Sequence, residues 1–245
     1  MAKSAIRTLA IKMQKTKIEW ADYVFNPIKG LCPMDCKRPD GKSYCYARQF
    51  YKRFKFKEGL SFIFDEPAWG IIEKLQRFNP PVGSKIFLCS TMELFHPLIK
   101  KEWRDLIFEI IEKNKKYIWI ILTKLPENIN RPMPENVWLG VTVTSKIDED
   151  RLRFLKWIEV KTKFVSFEPL FGDVAMKGWN IFPVLDYRLS WVIIGRLTGF
   201  GNKWNPTKAN IKCILDVIKE QKIPVFMKDN LRPIMGDKLI QQWPE

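Results

Sequence analysis

The chain has 245 residues, 46% hydrophobic and 28% charged, with 42 Lys+Arg against 27 Asp+Glu and a formal net charge of +15. That balance describes a folded globular protein with a sizeable core, not a disordered one, and no apolar run approaches the ~20 residues that cross a bilayer. The charge favours polyanionic partners, nucleic acid first, and a single histidine, His96, excludes a poly-His metal site.

The N-terminal "MAKSAIRTLAIKMQK" is basic but has no apolar h-region or small-residue cleavage site, so residues 1–14 read as an extension and not as a secretory signal. A cytoplasmic setting is expected, where cysteines stay reduced and clusters of them point to metal or redox chemistry. The first apolar run is "YVFNP" (23–27), followed by "KIFLCS" (85–90). A helix is predicted within "PLIKKEWRDLIFEIIEKNKK", with Leu98, Trp103, Leu106, Ile107, Ile110 and Ile111 on one face and lysines closing its last turn. Then come "YIWIILTK" (117–124) and "VWLGVTV" (137–143), the helical "DEDRLRFLKWIE", "KFVSFEP" (163–169) and "WVIIGR" (191–196). The helical "TKANIKCILDVIKEQ" precedes "IPVFMK" (223–228), and residues 230–245 form a tail. Cys213 in that last helix reads as a small core residue.

The short runs are apolar almost throughout, as strands buried on both faces of a parallel sheet are. Alternation with helices makes the fold α/β, and no repeat or linker divides it, so 1–245 reads as one domain. Polar residues recur at the strand tips: Ser90, Thr91 and Glu93; Thr123 and Lys124; Thr142 and Thr144; Ser166 and Glu168; Arg196 and Thr198; Lys228 and Asp229. In a β/α barrel such tips converge on one mouth, which favours a barrel over a doubly wound sheet. "GRLTGFG" (195–201) carries glycines that would admit a ligand to the backbone or simply form a loop.

Three cysteines, Cys32, Cys36 and Cys45, fall within fourteen residues as Cys-x3-Cys-x8-Cys. Structural zinc takes four ligands, and Cys89 or His96 would have to complete such a site through the fold. A cubane iron–sulfur cluster held by three thiolates keeps one iron open to bind a small molecule. Directly after Cys45, the cations Arg48, Lys52, Arg53, Lys55 and Lys57 alternate with Tyr46, Phe50, Tyr51, Phe54 and Phe56. Cations for phosphates and rings for bases suit a single-stranded nucleic acid, while the same pattern also suits an amphipathic helix packed on a barrel.

The order "KTKIEWADYVFNPIKG", the three cysteines with "CYAR", "STMELFHP", "ILTKLPENI", "NVWLGVTV", "FVSFEPLFG", "WVIIGR" and "VFMK" resembles an uncharacterised phage and prokaryotic family of the radical S-adenosylmethionine superfamily, from about Lys15 to about Asp229. The resemblance implies a partial (β/α) TIM-like barrel of six to seven parallel strands. It also implies a 4Fe-4S cluster on Cys32, Cys36 and Cys45, reduced by an electron donor, with S-adenosylmethionine on the open iron. The superfamily's usual spacing is Cys-x3-Cys-x2-Cys with an aromatic before the last cysteine. Tyr44 keeps that aromatic, Tyr46 follows the cysteine, and "KRPDGKSY" inserts six extra residues that a turn at "PDG" can loop out. The usual Gly-Gly-Glu element is replaced by "CSTMELF", which makes Ser90, Thr91 and Glu93 candidates for the methionine ammonium. Lys124 would meet its carboxylate; Thr142, Ser166 and Glu168 would meet ribose or substrate, and Arg196 stands where a glycine is common. With a basic rim, this implies a radical enzyme acting on RNA or DNA. The alternative is a non-catalytic nucleic-acid-binding protein with a structural zinc site.

Overall fold

The structure, a computed structural model, describes residues 14–54, 59–62, 80–172 and 188–245. The N-terminal extension before Gln14, Lys55 and Lys57 lie outside the described residues. Among the described residues, seven parallel strands with helices between several of them make the chain an α/β protein of the partial (β/α) barrel type. It falls into two compact units, Met1–Ile120 and Ile121–Glu245.

In the first unit β1 (Gln14–Lys15) lies antiparallel to β2 (Tyr23–Phe25). A two-stranded antiparallel sheet follows, β3 (Ile28–Lys29) with β4 (Ser61–Phe62). β5 (Lys85–Leu88) runs parallel to β2 with Tyr23 opposite Ile86 and Phe25 opposite Leu88. Between these strands α1 spans Tyr46–Phe54, and after β5 comes α2, Lys101–Lys113. The predicted apolar face of α2 differs at its ends. Leu98 precedes the helix and is 65% exposed, whereas Phe108 is buried with Ile107, Ile110 and Ile111. Phe25 packs edge-on to Trp119, ring centroids 6.0 Å apart, and Trp20 packs on Phe87 at 4.7 Å. Trp119 belongs to β6 (Ile118–Thr123), the strand within which the unit boundary falls.

In the second unit four strands run parallel in chain order: β7 (Val137–Thr142), β8 (Thr162–Phe167), β9 (Trp191–Ile194) and β10 (Val225–Met227). Every residue of β7, β9 and β10 is buried, as strands covered on both faces must be. Trp191 anchors this core among Phe164, Trp138 and Phe226, with centroids 5.4, 5.8 and 6.2 Å away. α3 (Asp150–Trp157) turns Leu152 and Leu155 inward. α4 (Lys208–Glu220) opens with a capping box in which the Thr207 side chain accepts from the Asn210 N–H and Asn210 reaches back to the Thr207 N–H. The buried face of α4 is Asn210, Ile211, Ile214, Val217 and Ile218, so Cys213 is exposed and not a core residue. Its position, two residues past Ile211 and one before Ile214, falls outside the 3.6-residue stripe.

After α5 (Arg232–Met235) the C-terminal tail folds back on β10. The Met227 N–H donates to the Ile240 carbonyl at 2.8 Å, the Gln242 N–H to the Val225 carbonyl at 2.9 Å, and Trp191 Nε1 to the Gln242 carbonyl at 2.7 Å. An edge strand that would expose its donors and acceptors is thereby paired. No helix among the described residues is long and apolar enough to cross a membrane.

Gly140 interrupts the branched residues of β7 because it stands opposite Phe164, where a Cβ would fall 2.3 Å from the ring. Gly140→Ala is therefore expected to overpack the second unit and cost about 1–3 kcal/mol. A urea titration should show a lower midpoint with an unchanged slope.

Candidate functional site

The loop after β2 and β3 carries the three cysteines, and its shape answers the irregular spacing. Lys37 and Ser43 form an antiparallel bridge, and the Tyr44 N–H donates to the Cys36 carbonyl at 2.9 Å. The Arg38 N–H donates to the Lys42 carbonyl at 2.9 Å, and Gly41 at φ +78° completes the turn. Asp40 Oδ1 accepts from the Lys42 N–H and from Arg38 Nε, each at 3.2 Å. The six extra residues are thus a closed hairpin that sets the backbone of Cys36 beside that of Tyr44, one residue before Cys45. A proline that cannot donate and a glycine that takes the left-handed turn explain why "RPDGK" closes this way.

Cys32 is buried, and its Sγ accepts the Glu93 N–H at 3.4 Å. Burial pushes its thiol above the usual range, while N–H groups of Glu93 and Met34 pull it down and the Cys45 sulfur adds to the rise. Cys89, at φ +55° directly after β5, is fully buried, and burial with Glu93 and Cys32 nearby pushes its thiol far up. Its N–H is the continuation of the β2–β5 ladder, donating to the Phe25 carbonyl at 2.8 Å. All five cysteines are free thiols. Among the described residues no three His, Cys, Asp or Glu side chains converge as a metal would need. The donors are soft thiols with N–H groups aimed at the Cys32 sulfur, a chemistry that suits an iron–sulfur cluster or zinc, and the three sulfurs are not gathered into one ligand sphere.

The "CSTMELF" segment meets this loop where the Glu93 N–H reaches the Cys32 sulfur. Ser90 Oγ exchanges hydrogen bonds with the Asn26 side-chain amide at 3.1 and 3.2 Å, and its carbonyl accepts the Tyr46 hydroxyl. Thr91 is half-buried. Glu93 is buried, and its Oε1 accepts the Phe95 N–H at 3.2 Å, so it caps its own turn. His96 Nδ1 accepts the Leu98 N–H at 3.2 Å. Asn26 was missed in the sequence although it stands at the tip of β2, the position that singled out the other candidates.

In the second unit Thr142 and Ser166 are register partners at the ends of β7 and β8. They are 1% and 0% exposed, and neither hydroxyl has a hydrogen-bond partner. Buried hydroxyls normally find one, so these two ask for a ligand or water. Glu168 instead has a partner, the Lys228 ammonium from the end of β10, across Gly195. A Cβ on Gly195 would stand 3.0 Å from Lys228 Cδ and 3.4 Å from Glu168 Cγ, so this glycine serves side-chain packing. Gly199 and Gly201 are exposed turn residues at φ +82° and +71°. Lys124 is half-buried beside Thr123, whose Oγ1 accepts the Leu125 N–H at 2.9 Å.

The expected nucleic-acid cations are dispersed in role. Arg48 donates to the Cys32 carbonyl at 3.1 Å and the Met34 carbonyl at 3.3 Å. Arg196 is clasped by Asn230: its N–H donates to Asn230 Oδ1 at 3.2 Å, its Nε to the Asn230 carbonyl, and Asn230 Nδ2 to the Arg196 carbonyl at 3.0 Å. Arg53 is exposed on α1. Lys52 lies in α1, but its side chain, with those of Phe50, Tyr51 and Phe54, is outside what the structure describes.

Residues 15–232 match a family described as protein of unknown function, DUF5131. The chain belongs to that family. No curated protein matches it in sequence. Among solved structures, its fold is similar to spore photoproduct lyase complexed with dinucleoside spore photoproduct, at 12% identity and a TM-score of 0.52, covering 86% of this chain and 64% of that one. A variant of that lyase with bound AdoMet and the same dinucleoside is similar at 13% identity and a TM-score of 0.56, with the same coverage. Another variant gives 11% identity and 0.56, covering 88% of this chain and 78% of that one. The chain thus spans just under two thirds of the length of the first two, 64% of each, and the likeness is one of fold.

Removing one partner of the Glu168–Lys228 pair should leave the other partly buried and uncompensated. A double-mutant cycle of Glu168→Gln and Lys228→Met, read by urea unfolding, is expected to give a coupling of about 1 kcal/mol, discounted for the pair's residual exposure.

Proposed function

We propose that this protein is a radical S-adenosylmethionine enzyme whose substrate is a nucleic acid, in RNA or DNA modification or repair. The observation that carries the reading is the thiol loop: three free cysteines delivered after β2 of a partial β/α barrel, with the irregular spacing absorbed by a hairpin. The likeness to a lyase solved with AdoMet and a dinucleoside lesion supports both the cofactor and the substrate class. The net charge of +15 supports a polyanionic substrate.

Cys32, Cys36 and Cys45 are the residues proposed to hold a 4Fe-4S cluster, their thiols gathering as they ligate. When bound, the cluster and S-adenosylmethionine supply one-electron cleavage of a carbon–sulfur bond to methionine and a 5′-deoxyadenosyl radical, with the electron coming from an external donor. The chain's own part is to bind, orient and enclose. The Glu93 N–H steadies the Cys32 sulfur, and Tyr46 ties α1 to Ser90. Ser90, Thr91 and Glu93 are proposed to receive the methionine ammonium, Tyr44 to border Cys45, and Lys124 to meet the carboxylate. The unpartnered hydroxyls of Thr142 and Ser166 suit ribose or substrate oxygens. Glu168 would act there as half of an ion pair with Lys228.

Anaerobic reconstitution followed by metal analysis and electron paramagnetic resonance tests the reading. About four irons per chain are expected, with a reduced-cluster signal that changes on adding S-adenosylmethionine. Cys32→Ala, Cys36→Ala and Cys45→Ala should each abolish the signal, whereas Cys213→Ala should leave it intact. Colourless protein with stoichiometric zinc lost in the same variants, and in either Cys89→Ala or His96→Ala, would replace the enzyme with the zinc-binding alternative. Single-stranded DNA and RNA should then raise the rate of S-adenosylmethionine cleavage; no response to either would remove nucleic acid as the substrate.

A further inference from the structure

The thiol loop is held by two devices, and one of them is a side chain with no metal-ligating atom. The hairpin ties Cys36 to Tyr44. Arg48, in the first turn of α1, ties the opposite end. Its Nη2 donates to the Cys32 carbonyl at 3.1 Å, its Nε to the Met34 carbonyl at 3.3 Å, and the same Nε lies 3.5 Å from Asp35 Oδ1. One guanidinium therefore spans residues 32, 34 and 35 from a helix that begins one residue after Cys45.

Neutral carbonyls held by a cation form charge-assisted bonds, and the planar fork sets their spacing, which a lysine ammonium on a flexible stem does not reproduce. Nη2 and Nε of Arg48 point at its own loop, and a phosphate would have to compete with two carbonyls and a carboxylate for them. Cys32 has its remaining freedom removed from the far side, where its sulfur takes the Glu93 N–H.

We propose that Arg48 is a positioning residue of the thiol loop, fixing where Cys32 stands relative to Cys36 and Cys45, and is not a phosphate contact. This rests on the cluster reading above for its consequence, but the loop geometry is testable without iron. Hydrogen exchange on the purified chain should show residues 32–36 exchanging about tenfold faster in Arg48→Lys, as expected for losing a hydrogen bond to a charged group, with α4 unchanged. After anaerobic reconstitution the variant should lose its visible absorbance to an iron chelator about tenfold faster than wild type. Its reduced resonance spectrum should be altered, with a mixture of cluster forms. Affinity for a single-stranded oligonucleotide should stay at the wild-type value across a salt titration.

The milder Asp35→Asn keeps both carbonyl bonds and should shift exchange and cluster loss in the same direction by less. Weakened oligonucleotide binding in Arg48→Lys, with exchange and cluster retention like wild type, would overturn the proposal and make Arg48 a phosphate ligand. Should Arg48→Lys fail to fold, Asp35→Asn decides, and wild-type exchange over 32–36 in that variant overturns the proposal. Wild-type protein that takes up no iron would sink the cluster reading while the exchange comparison still decides what Arg48 does.

Discussion

Strands covered on both faces can carry polar side chains only where they stop, and that constraint organises this protein. β7, β9 and β10 are buried at every residue. Thr142, Ser166, Glu168 and Lys228 accordingly stand within one residue of the C-terminal ends of their strands. Two of these, Thr142 and Ser166, are so enclosed that no protein group reaches their oxygens. A core that excludes water from a hydroxyl raises the value of any ligand that supplies a hydrogen bond.

The thiol loop shows how an irregular sequence becomes a regular object. An eight-residue gap between Cys36 and Cys45 is long as chain and short as space, because its backbone groups pair across the Lys37–Ser43 bridge and close on themselves. The insertion stays on its own side of that bridge and leaves Cys36 and Tyr44 adjacent. A hairpin of this kind costs little loop entropy once the turn is set by Pro39, Asp40 and Gly41.

The positive charge is less uniform in purpose than a count conveys. Arg48 and Arg196 read in the sequence as cations at a basic rim, and in the fold both are spent on backbone carbonyls, of Cys32 and Met34 in one case and of Asn230 in the other. Arginine suits such work because its planar fork can hold more than one acceptor at a time. Lys228 likewise is committed to Glu168. Arg53, by contrast, is exposed on α1.

By itself the sequence determined the element order, because strand and helix periodicities are local and the apolar runs at 85–90, 117–124, 137–143, 163–169 and 191–196 have no other way to be buried. It also set three cysteines within fourteen residues, a spacing that points to metal or redox chemistry. Tertiary structure alone decided the partners. That Asn26 takes Ser90 and that Glu168 spends its charge on Lys228 depend on segments about sixty residues apart meeting in space, and Arg48 finds its carbonyls 14 and 16 residues back along the chain. A side chain's type limits what it can bond, but the residue that arrives opposite it is set by packing, and no local pattern carries that information.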